Sequence, residues 1–327
     1  MAKGDSDAAN KGQVCTNRVS PYAHRMMLPA LIQERRLYGM GLRLTGVAAL
    51  SVMIALIKLV GDRGVVLGEI MFWRQGFAVP VILLWVMIGP GLATLRTKRF
   101  GAHAKRATFG LTAMLLNFWS ILLLPLAEAT TFGYTVPLFA TLLSALVLKE
   151  RVRLHRWSAV ALGFVGVLIV AQPGSGHIPL AGAAAGLSAA ALVGLVSIQI
   201  RELTRTDPPA TIAFWFSLIS CVPLFPFLLW TQTPHDGETW ALLAGIGILG
   251  GLGQIAITSS LKYAPVSTVI SMDYSSLIWA SLAGWLIWNQ LPSDATWIGA
   301  PVIIASGLYI AWREHKLAIA RAQEIAA

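Results

Sequence analysis

Two long stretches of the sequence resemble each other, and this repeat constrains the fold more than any other feature. The two stretches are residues 126–168 and 263–308. Each contains an apolar run of membrane length, a polar pair, a tryptophan at a fixed spacing and a second apolar run. The offset from Glu150 to Gln290 is 140 residues, and the offset from Trp157 to Trp297 is the same. We therefore interpret the chain as two copies of one module.

The composition indicates that the module folds in a membrane. Hydrophobic residues make up 56% of the chain and charged residues 12%, against about 25% charged in soluble domains. The net charge of +10 would suggest a nucleic-acid partner in a soluble protein. Here the basic residues lie in predicted tails and loops, so we expect a lipid bilayer and no nucleic acid. Cys15 and Cys221 are too few for a disulfide framework.

Ten apolar stretches are long enough to cross a bilayer as helices. They are residues 39–60, 69–90, 107–126, 130–148, 157–171, 181–200, 210–230, 239–261, 267–287 and 295–312. The sequence thus predicts an all-α integral membrane protein with ten transmembrane helices. The expected divisions are an N-terminal tail (1–38), a first repeat (39–176), a second repeat (177–312) and a C-terminal tail (313–327).

The basic residues predict the orientation. Of the 25 Lys and Arg residues, 21 fall in the two tails and the even-numbered loops, whereas the odd-numbered loops hold Arg63 alone. Because cytoplasmic loops carry an excess of positive charge, both termini are expected in the cytoplasm. The loop after the fourth helix carries four basic residues and its repeat partner carries none. The two halves should therefore insert in opposite senses, as a 5+5 inverted-topology repeat.

Several short motifs, in this order and spacing, resemble the drug/metabolite transporter superfamily of EamA type over about residues 39–312. The motifs in the first half are Lys58, Gly68-Glu69-Ile70-x-Phe72-x-Arg74, Pro137-Leu138-Phe139, Lys149-Glu150-Arg151 and Gly163-x-x-Gly166. Those in the second half are Ala264-Pro265-Val266-Ser267, Asp273-Tyr274-Ser275-Ser276, Gly284-Trp285 and Leu291-Pro292. Two departures are Gln290, where the family usually has Glu, and the absence of a helix-nine proline near Ser271 and Met272.

The resemblance implies a secondary carrier in the cytoplasmic (inner) membrane that works by alternating access. Its central cavity is expected mainly between helices 1, 3, 4, 6, 8 and 9, and its substrate is a small metabolite. An amino acid, an S-adenosylmethionine-like compound and a riboflavin-like compound are the named possibilities. Import against export, proton coupling, and monomer against homodimer stay open. No cofactor or metal is implied, since the six His residues do not cluster and no phosphate-binding loop occurs.

Two other classes of protein are weighed against a carrier. A membrane-embedded enzyme would need a dense polar cluster at one membrane face, and the sequence shows no such cluster. A sensor or assembly subunit would be expected to have an ordered soluble domain, whereas the tails here are short.

Charged groups within the predicted helices are the candidate functional residues, because a charge at the bilayer centre costs about 2.5–3.5 kcal/mol. Asp273 is a candidate for the substrate or coupling site; the alternative is a structural ion pair with Arg43, which lies at similar depth. Tyr134 and Tyr274 are also 140 residues apart, and we expect them on opposite walls of one cavity.

A second set of charges is expected near the outer side of the membrane, as structural or gating groups. They are Lys58, Glu69, Arg74 and Glu128. The alternatives for them are snorkelling of Lys58 and Arg74, helix-end placement of the two glutamates, and fixed ion pairs. Glu150 is expected to pair within its loop. The neutral candidates for the cavity are Asn117, Trp119, Gln199 and Gln254.

Overall fold

The computed structural model describes residues 21–146, 154–174, 178–231, 233–260, 263 and 272–326, and every regular element in these ranges is helical. The motifs at Lys149-Glu150-Arg151 and Ala264–Ser267 lie outside the described residues. The α-helices are α1 Pro21–Asp62, α2 Leu67–Ile88, α3 Phe100–Leu123, α4 Leu126–Gly133, α5 Val136–Leu146, α6 Leu154–Ala171, α7 Leu180–Leu203, α8 Pro209–Thr231, α9 Gly237–Ser260, α10 Ser276–Trp288 and α11 Asp294–Ala326. A short 3-10 helix, Leu92–Leu95, precedes α3.

Within the described ranges, seven helices are long and apolar enough to cross a membrane. They are Leu37–Asp62, Leu67–Ile88, Phe100–Leu123, Leu180–Ile200, Pro209–Thr231, Gly237–Ser260 and Asp294–Arg313. Two shorter apolar helices, Trp157–Ala171 and Ser276–Trp288, accompany them. The predicted all-α membrane class is therefore confirmed. Leaving aside the two interrupted helices, three boundaries differ by seven residues or more: α1 begins at Pro21 instead of 39, α3 at Phe100 instead of 107, and α11 continues to Ala326 instead of 312.

The fourth predicted helix is interrupted, so the expectation of one continuous helix over 130–148 is wrong. It consists of α4 and α5, with a turn at Tyr134 and Thr135 between them. Pro137 has no N–H to give to the carbonyl four residues earlier, that of Gly133, and this favours a break. At the turn, the N–H and the hydroxyl of Thr135 both donate to the carbonyl of Phe132, at 3.1 and 2.6 Å, a local side-chain bond of the kind that competes with a continuous helix.

A second break occurs 140 residues later, before α10. Residues 272–273 are helical, 274–275 form a turn, and α10 begins at Ser276. This break has two serines in place of a proline, and their hydroxyls bond to backbone carbonyls. Ser275 Oγ donates to Met272 O and Ser276 Oγ to Asp273 O, both at 2.7 Å. The two stretches therefore share an interrupted helix as well as a sequence pattern.

Small residues allow the helices to pack closely. The Ser120 hydroxyl of α3 donates to the Gly182 carbonyl of α7 at 2.9 Å, and a Cβ on Gly182 would lie 2.7 Å from the Leu124 side chain. At the contact of α6 with α11, a Cβ on Gly299 would lie 2.7 Å from the Gly166 carbonyl. These glycines bring helix backbones together, as small residues do in membrane proteins.

The bundle has two ends, which we call upper and lower. At the upper end α1 finishes and α2 begins; at the lower end α2 finishes and α3 begins. The main apolar core lies toward the upper end and includes the fully buried side chains of Ile57, Val60, Ile70 and Leu124. The upper end is thus closed by packed apolar side chains.

Candidate functional site

A cavity of about 450 Å³ lies in the lower half of the bundle, lined by α1, α2, α3, α7, α8 and α9. Both sequence halves therefore contribute to its wall. Predicted helices 1, 3, 6 and 8 line it as expected; among the described residues, predicted helices 2 and 7 (α2 and α8) take the place expected for helices 4 and 9. The lining residues include Arg43, Arg74, Ile82, Arg106, Ile212, Phe216, Gln254 and Ile257.

Three arginines line this cavity, and the described part of its wall contains no Asp or Glu. Arg74 Nη1 donates to the Gln75 side-chain oxygen at 2.5 Å, whereas its Nε is buried without a partner among the described residues. The Nε and Nη1 atoms of Arg106 are likewise buried and unpartnered within the described ranges. The Arg106 guanidinium lies 3.8 Å from the centroid of the Phe216 ring, a cation–π contact.

Two glycines, which have no side chain, provide the room that Arg74 and Arg106 occupy. A Cβ on Gly110, one helical turn after Arg106, would lie 2.9 Å from the Phe216 ring and 3.2 Å from Arg106 Nη1. A Cβ on Gly250 would lie 3.3 Å from Arg74 Nε. Any larger residue at these positions would press on a guanidinium group.

Two of the cavity arginines differ from expectation. Arg74 was expected near Lys58 and Glu69 at the outer side, but it lies in the cavity wall with Arg106. Arg106 is a candidate that sequence reasoning missed, because it was placed in a basic loop before a helix starting at 107. Its spacing to Gly110, four residues on, was the available signal, since this spacing puts both on one helical face.

The Arg43 guanidinium forms a two-pronged ion pair with the Asp273 carboxylate. Its Nε and Nη2 atoms donate to Oδ1 and Oδ2 at 2.6 and 2.5 Å, and its Nη1 donates to the Ile257 carbonyl at 3.3 Å. Planar pairs of this kind combine strong hydrogen bonds with fixed geometry. The Arg43 side chain is 9% exposed and that of Asp273 37%. The matched depths predicted from the sequence therefore correspond to a direct contact.

The rings of Tyr134 and Tyr274 contact each other edge-on, with centroids 5.0 Å apart. The Tyr134 hydroxyl donates to the Tyr274 carbonyl at 3.1 Å and lies 2.7 Å from Ser276 Oγ. The two rings were expected on opposite walls of a cavity. They instead join the two helix breaks directly, and neither ring lines the 450 Å³ cavity.

Lys58 binds the end of another helix near the upper end of the bundle. Its Nζ donates to the carbonyls of Leu124 and Ile121 at 2.7 and 3.2 Å, acceptors that the C-terminus of α3 leaves free. Lys58 is only 7% exposed, so it does not extend to the membrane surface as snorkelling would require. A cation at this position also complements the negative end of the helix dipole.

Two buried glutamates connect the sequence halves at the upper end. Glu69 Oε1, in the first turn of α2, lies 2.8 Å from His235 Nε2. Glu128 Oε1 accepts hydrogen bonds from the Ser293 N–H and the Thr296 hydroxyl at 3.1 and 3.0 Å, at the start of α11. Both glutamates lie at helix ends, one of the alternatives weighed above. An exposed ion pair of Arg63 with Glu238 joins the same end.

The neutral candidates are spread across the bundle. Gln254 lines the cavity. Gln199 is half-buried on α7, and its side-chain oxygen has no partner within the described ranges. Asn117 and Trp119, on α3, do not line the cavity, and Trp119 is 42% exposed. The described residues include no cluster of three or more His, Cys, Asp or Glu residues suited to a metal ion.

Polar contacts also join the halves at the lower end, outside the membrane-spanning segments. Arg99 Nη2 lies 2.6 Å from Glu202 Oε1. Burial of Asp207 disfavours its charge, but hydrogen bonds from Thr206 and Thr97, together with the nearby His103 ring, whose Nε2 lies 3.8 Å from Oδ2, outweigh burial and hold its pKa below the ordinary value. Asp207 is therefore ionised at neutral pH and helps to fix the loop beside the cavity.

A bundle of membrane-length apolar helices, with two interrupted helices in contact and a polar cavity shared between its halves, is the architecture of a multi-pass membrane transporter. The model of the EamA-like transporter family matches residues 37–172 and 180–312. The chain therefore belongs to the EamA-like transporter family. This membership makes it a transporter and not an enzyme, as the sequence predicted.

Named relatives and a solved structure agree with this assignment. A riboflavin transporter of Vibrio cholerae is 31% identical over 74% of this chain and 82% of its own length. The pseudopaline exporter CntI of Pseudomonas aeruginosa is 26% identical over 78% of this chain and 89% of its own. A protein of known crystal structure has a TM-score of 0.56 and 20% identity, over 83% of this chain and 96% of that one. This last likeness supports the fold alone.

Proposed function

We propose that this protein is a secondary carrier that moves a small metabolite across the bacterial inner membrane by alternating access. The observation that carries the proposal is the one-sided cavity: the lower half holds a 450 Å³ space, while the upper half is closed by apolar packing. A carrier must expose its substrate site to one side at a time, and this asymmetry suits one of its two states.

Contacts between helices support a relationship between the halves. The 140-residue offset pairs α1 with α7, α2 with α8, and α3 with α9. The contact of α1 with α9 thus has its counterpart in that of α7 with α3, and α2 with α8 is its own counterpart. The contact of α4 with α10, at the two breaks, joins predicted helix 4 to its repeat partner, predicted helix 9. This exchange supports the proposed 5+5 inverted repeat, with residues 39–176 and 177–312 as its halves.

The distribution of basic residues supports an orientation for the cavity. If both termini are cytoplasmic, as we propose from these residues, the lower end, with Arg96, Lys98 and Arg99 between α2 and α3, lies on the inside. The cavity then belongs to an inward-facing state, and the contacts Glu69–His235 and Glu128–Ser293 form the closed outer end. Opening this end requires these contacts between halves to separate.

The Arg43–Asp273 pair is our candidate for the link between substrate and helix movement. Arg43 lies in the cavity wall, and Asp273 lies at the break that precedes α10. A substrate that bonds to Arg43 competes with Asp273 for the guanidinium. Its binding would therefore loosen the attachment of α1 to the helix break that precedes α10. Asp273 is the more exposed partner of this pair, at 37% against 9% for Arg43, and we propose it as the group for proton coupling.

Uptake into proteoliposomes tests the carrier proposal. The purified protein is reconstituted and supplied with labelled riboflavin, amino acids and S-adenosylmethionine, with and without a proton gradient and always without ATP. Accumulation or counterflow of one compound, absent from protein-free liposomes, supports a secondary carrier. A requirement for ATP, or no flux of any compound in either direction, would contradict it.

A further inference from the structure

We infer that the cavity binds an anionic group, a carboxylate or phosphate, on the donors of Arg74 and Arg106. The inference deepens the proposed carrier function, because it assigns the chemical class of the transported molecule. It begins from an imbalance of charge: three arginines line the cavity, and only Arg43 has a carboxylate partner in the described part of the chain.

The two unpaired guanidinium groups carry a free-energy cost that a ligand would relieve. A charge inside a membrane protein normally pairs with an opposite charge or faces a cavity that serves function. Arg74 and Arg106 line one cavity and repel each other, since both are positive. An anion placed between them would neutralise this repulsion and satisfy buried N–H groups that lack partners among the described residues.

The orientation of each guanidinium leaves suitable donors for an oxyanion. Phe216 covers one face of the Arg106 guanidinium at 3.8 Å, and face contacts leave the N–H groups at the edge free to donate. Arg74 donates one N–H to Gln75, and its Nε–H has no partner among the described residues. Arginine presents five donors in a plane that matches carboxylate and phosphate oxygens in pairs.

Apolar side chains beside the arginines indicate that the anion is part of an organic molecule. Phe216, Ile212 and Ile82 line the same cavity, and Gln254 adds an amide. A site for inorganic phosphate alone would have little use for these apolar walls. A cavity of about 450 Å³ also lies within the ordinary range for small-molecule sites, about 300–1,000 Å³.

Thermal unfolding of the purified full chain in a neutral detergent tests this inference without a known substrate. The probes are phenyl phosphate and benzoate, compared with benzamide and with sodium chloride at equal ionic strength. Because a ligand that binds only the folded state raises the melting temperature, we expect at least one of the two anions to raise Tm by a few degrees and benzamide to leave it unchanged.

Variants locate the effect. Arg74→Met and Arg106→Met should each abolish the rise, while Arg63→Met, which removes an exposed arginine at the upper end, should keep it. Arg106→Lys retains the charge without the planar guanidinium, so it should bind whichever of the two anions stabilises the wild type about tenfold more weakly, equivalent to 1.4 kcal/mol. This variant also keeps the test valid if the methionine variants do not fold.

The possible outcomes separate this inference from the carrier proposal. No anion-specific rise in wild-type protein, or a rise that persists in both arginine variants, would overturn the inference, even if a neutral metabolite is transported. Stabilisation by added phosphatidylglycerol but by neither soluble anion would overturn it too, because the site would then hold a lipid headgroup. Anion binding lost with Arg74 and Arg106 but without any flux would support the site and refute the carrier.

Discussion

The hydroxyl of Tyr134 donates a hydrogen bond to the carbonyl of Tyr274, and each tyrosine lies at the break of its own helix. A break in a helix frees carbonyl groups that water cannot reach within a membrane. The Tyr134 hydroxyl satisfies one such group, and its ring packs against the ring of Tyr274 at 5.0 Å. The same two positions that interrupt the helices therefore also hold the sequence halves together.

The first expected outcome concerns this contact. Tyr134→Phe keeps the ring and removes the hydroxyl, so the free energy of unfolding should fall by about 1–3 kcal/mol, the range for a buried group left without its partner. Tyr274→Phe is the matched control, since its hydroxyl forms no bond within the described ranges. Unfolding in mixed micelles measures both. Equal effects of the two variants would show that the hydroxyl of Tyr134 contributes nothing particular.

The ion pair of Arg43 with Asp273 gives a second expectation. Asp273→Asn or Arg43→Gln alone strands one charge, so each should lower stability by about 1–2 kcal/mol, less than for a fully buried pair because Asp273 is 37% exposed. The double variant should recover most of this loss. Thermal unfolding of the wild type, the two single variants and the double variant gives a double-mutant cycle, which measures the coupling between Arg43 and Asp273.

Transport measurements on the same proteins separate a structural from a coupling role for Asp273. Selective loss of transport in a stable Asp273→Asn protein supports coupling. Unchanged transport with unchanged pH dependence, at normal expression, would exclude it and leave the pair a structural contact.

A third expectation concerns Lys58. Lys58→Met keeps most of the apolar stem but removes the ammonium that binds Leu124 O and Ile121 O, so stability should fall by about 1.5–3 kcal/mol, the range for hydrogen bonds to charged groups. Trp119→Phe, at an exposed position on α3, is the control for changes on that helix. Hydrogen exchange at the end of α3 should increase only in the Lys58 variant; equal protection in both would refute the capping role.

Close helix contacts give a fourth expectation. Gly299→Ala would place a Cβ 2.5 Å from the Val170 side chain and 2.7 Å from the Gly166 carbonyl, so it should destabilise the protein by about 1–3 kcal/mol through overpacking. Gly41→Ala meets no atom within 4 Å and should stabilise α1 by about 0.5 kcal/mol. Melting temperatures that move in the same direction for both would contradict the packing at α6 and α11.

Hydropathy and charge were sufficient to predict the helical class and the common depth of Arg43 and Asp273. Depth follows from counting residues along a helix, because each residue adds a fixed rise. The direction in which a side chain points around its helix depends on packing against neighbours, and the sequence does not supply it. Arg74 shows the consequence, since its depth was estimated from its position but its place in the cavity was not foreseen.

Helix breaks and helix ends were the weakest predictions for a related reason. The stretch 130–148 contains no charged residue to mark an interruption. The break at Tyr134 and Thr135 depends on hydrogen bonds from Thr135 and on the missing N–H of Pro137. Arg106 was lost from the candidates because α3 begins seven residues before its predicted start. A basic residue at such a boundary looks like a loop charge until the helix is seen.

Alternating access is tested most directly by fixing the upper end in place. In a Cys15→Ser, Cys221→Ser background, Arg63→Cys and Glu238→Cys introduce thiols at an exposed contact between the residue that follows α1 and the first turn of α9, and a short bifunctional maleimide can bridge them. If the upper end must open during each cycle, bridging should abolish transport in proteoliposomes, while N-ethylmaleimide, which modifies the same thiols without joining them, should leave transport largely intact. Undiminished transport by fully bridged protein would contradict alternating access through this end.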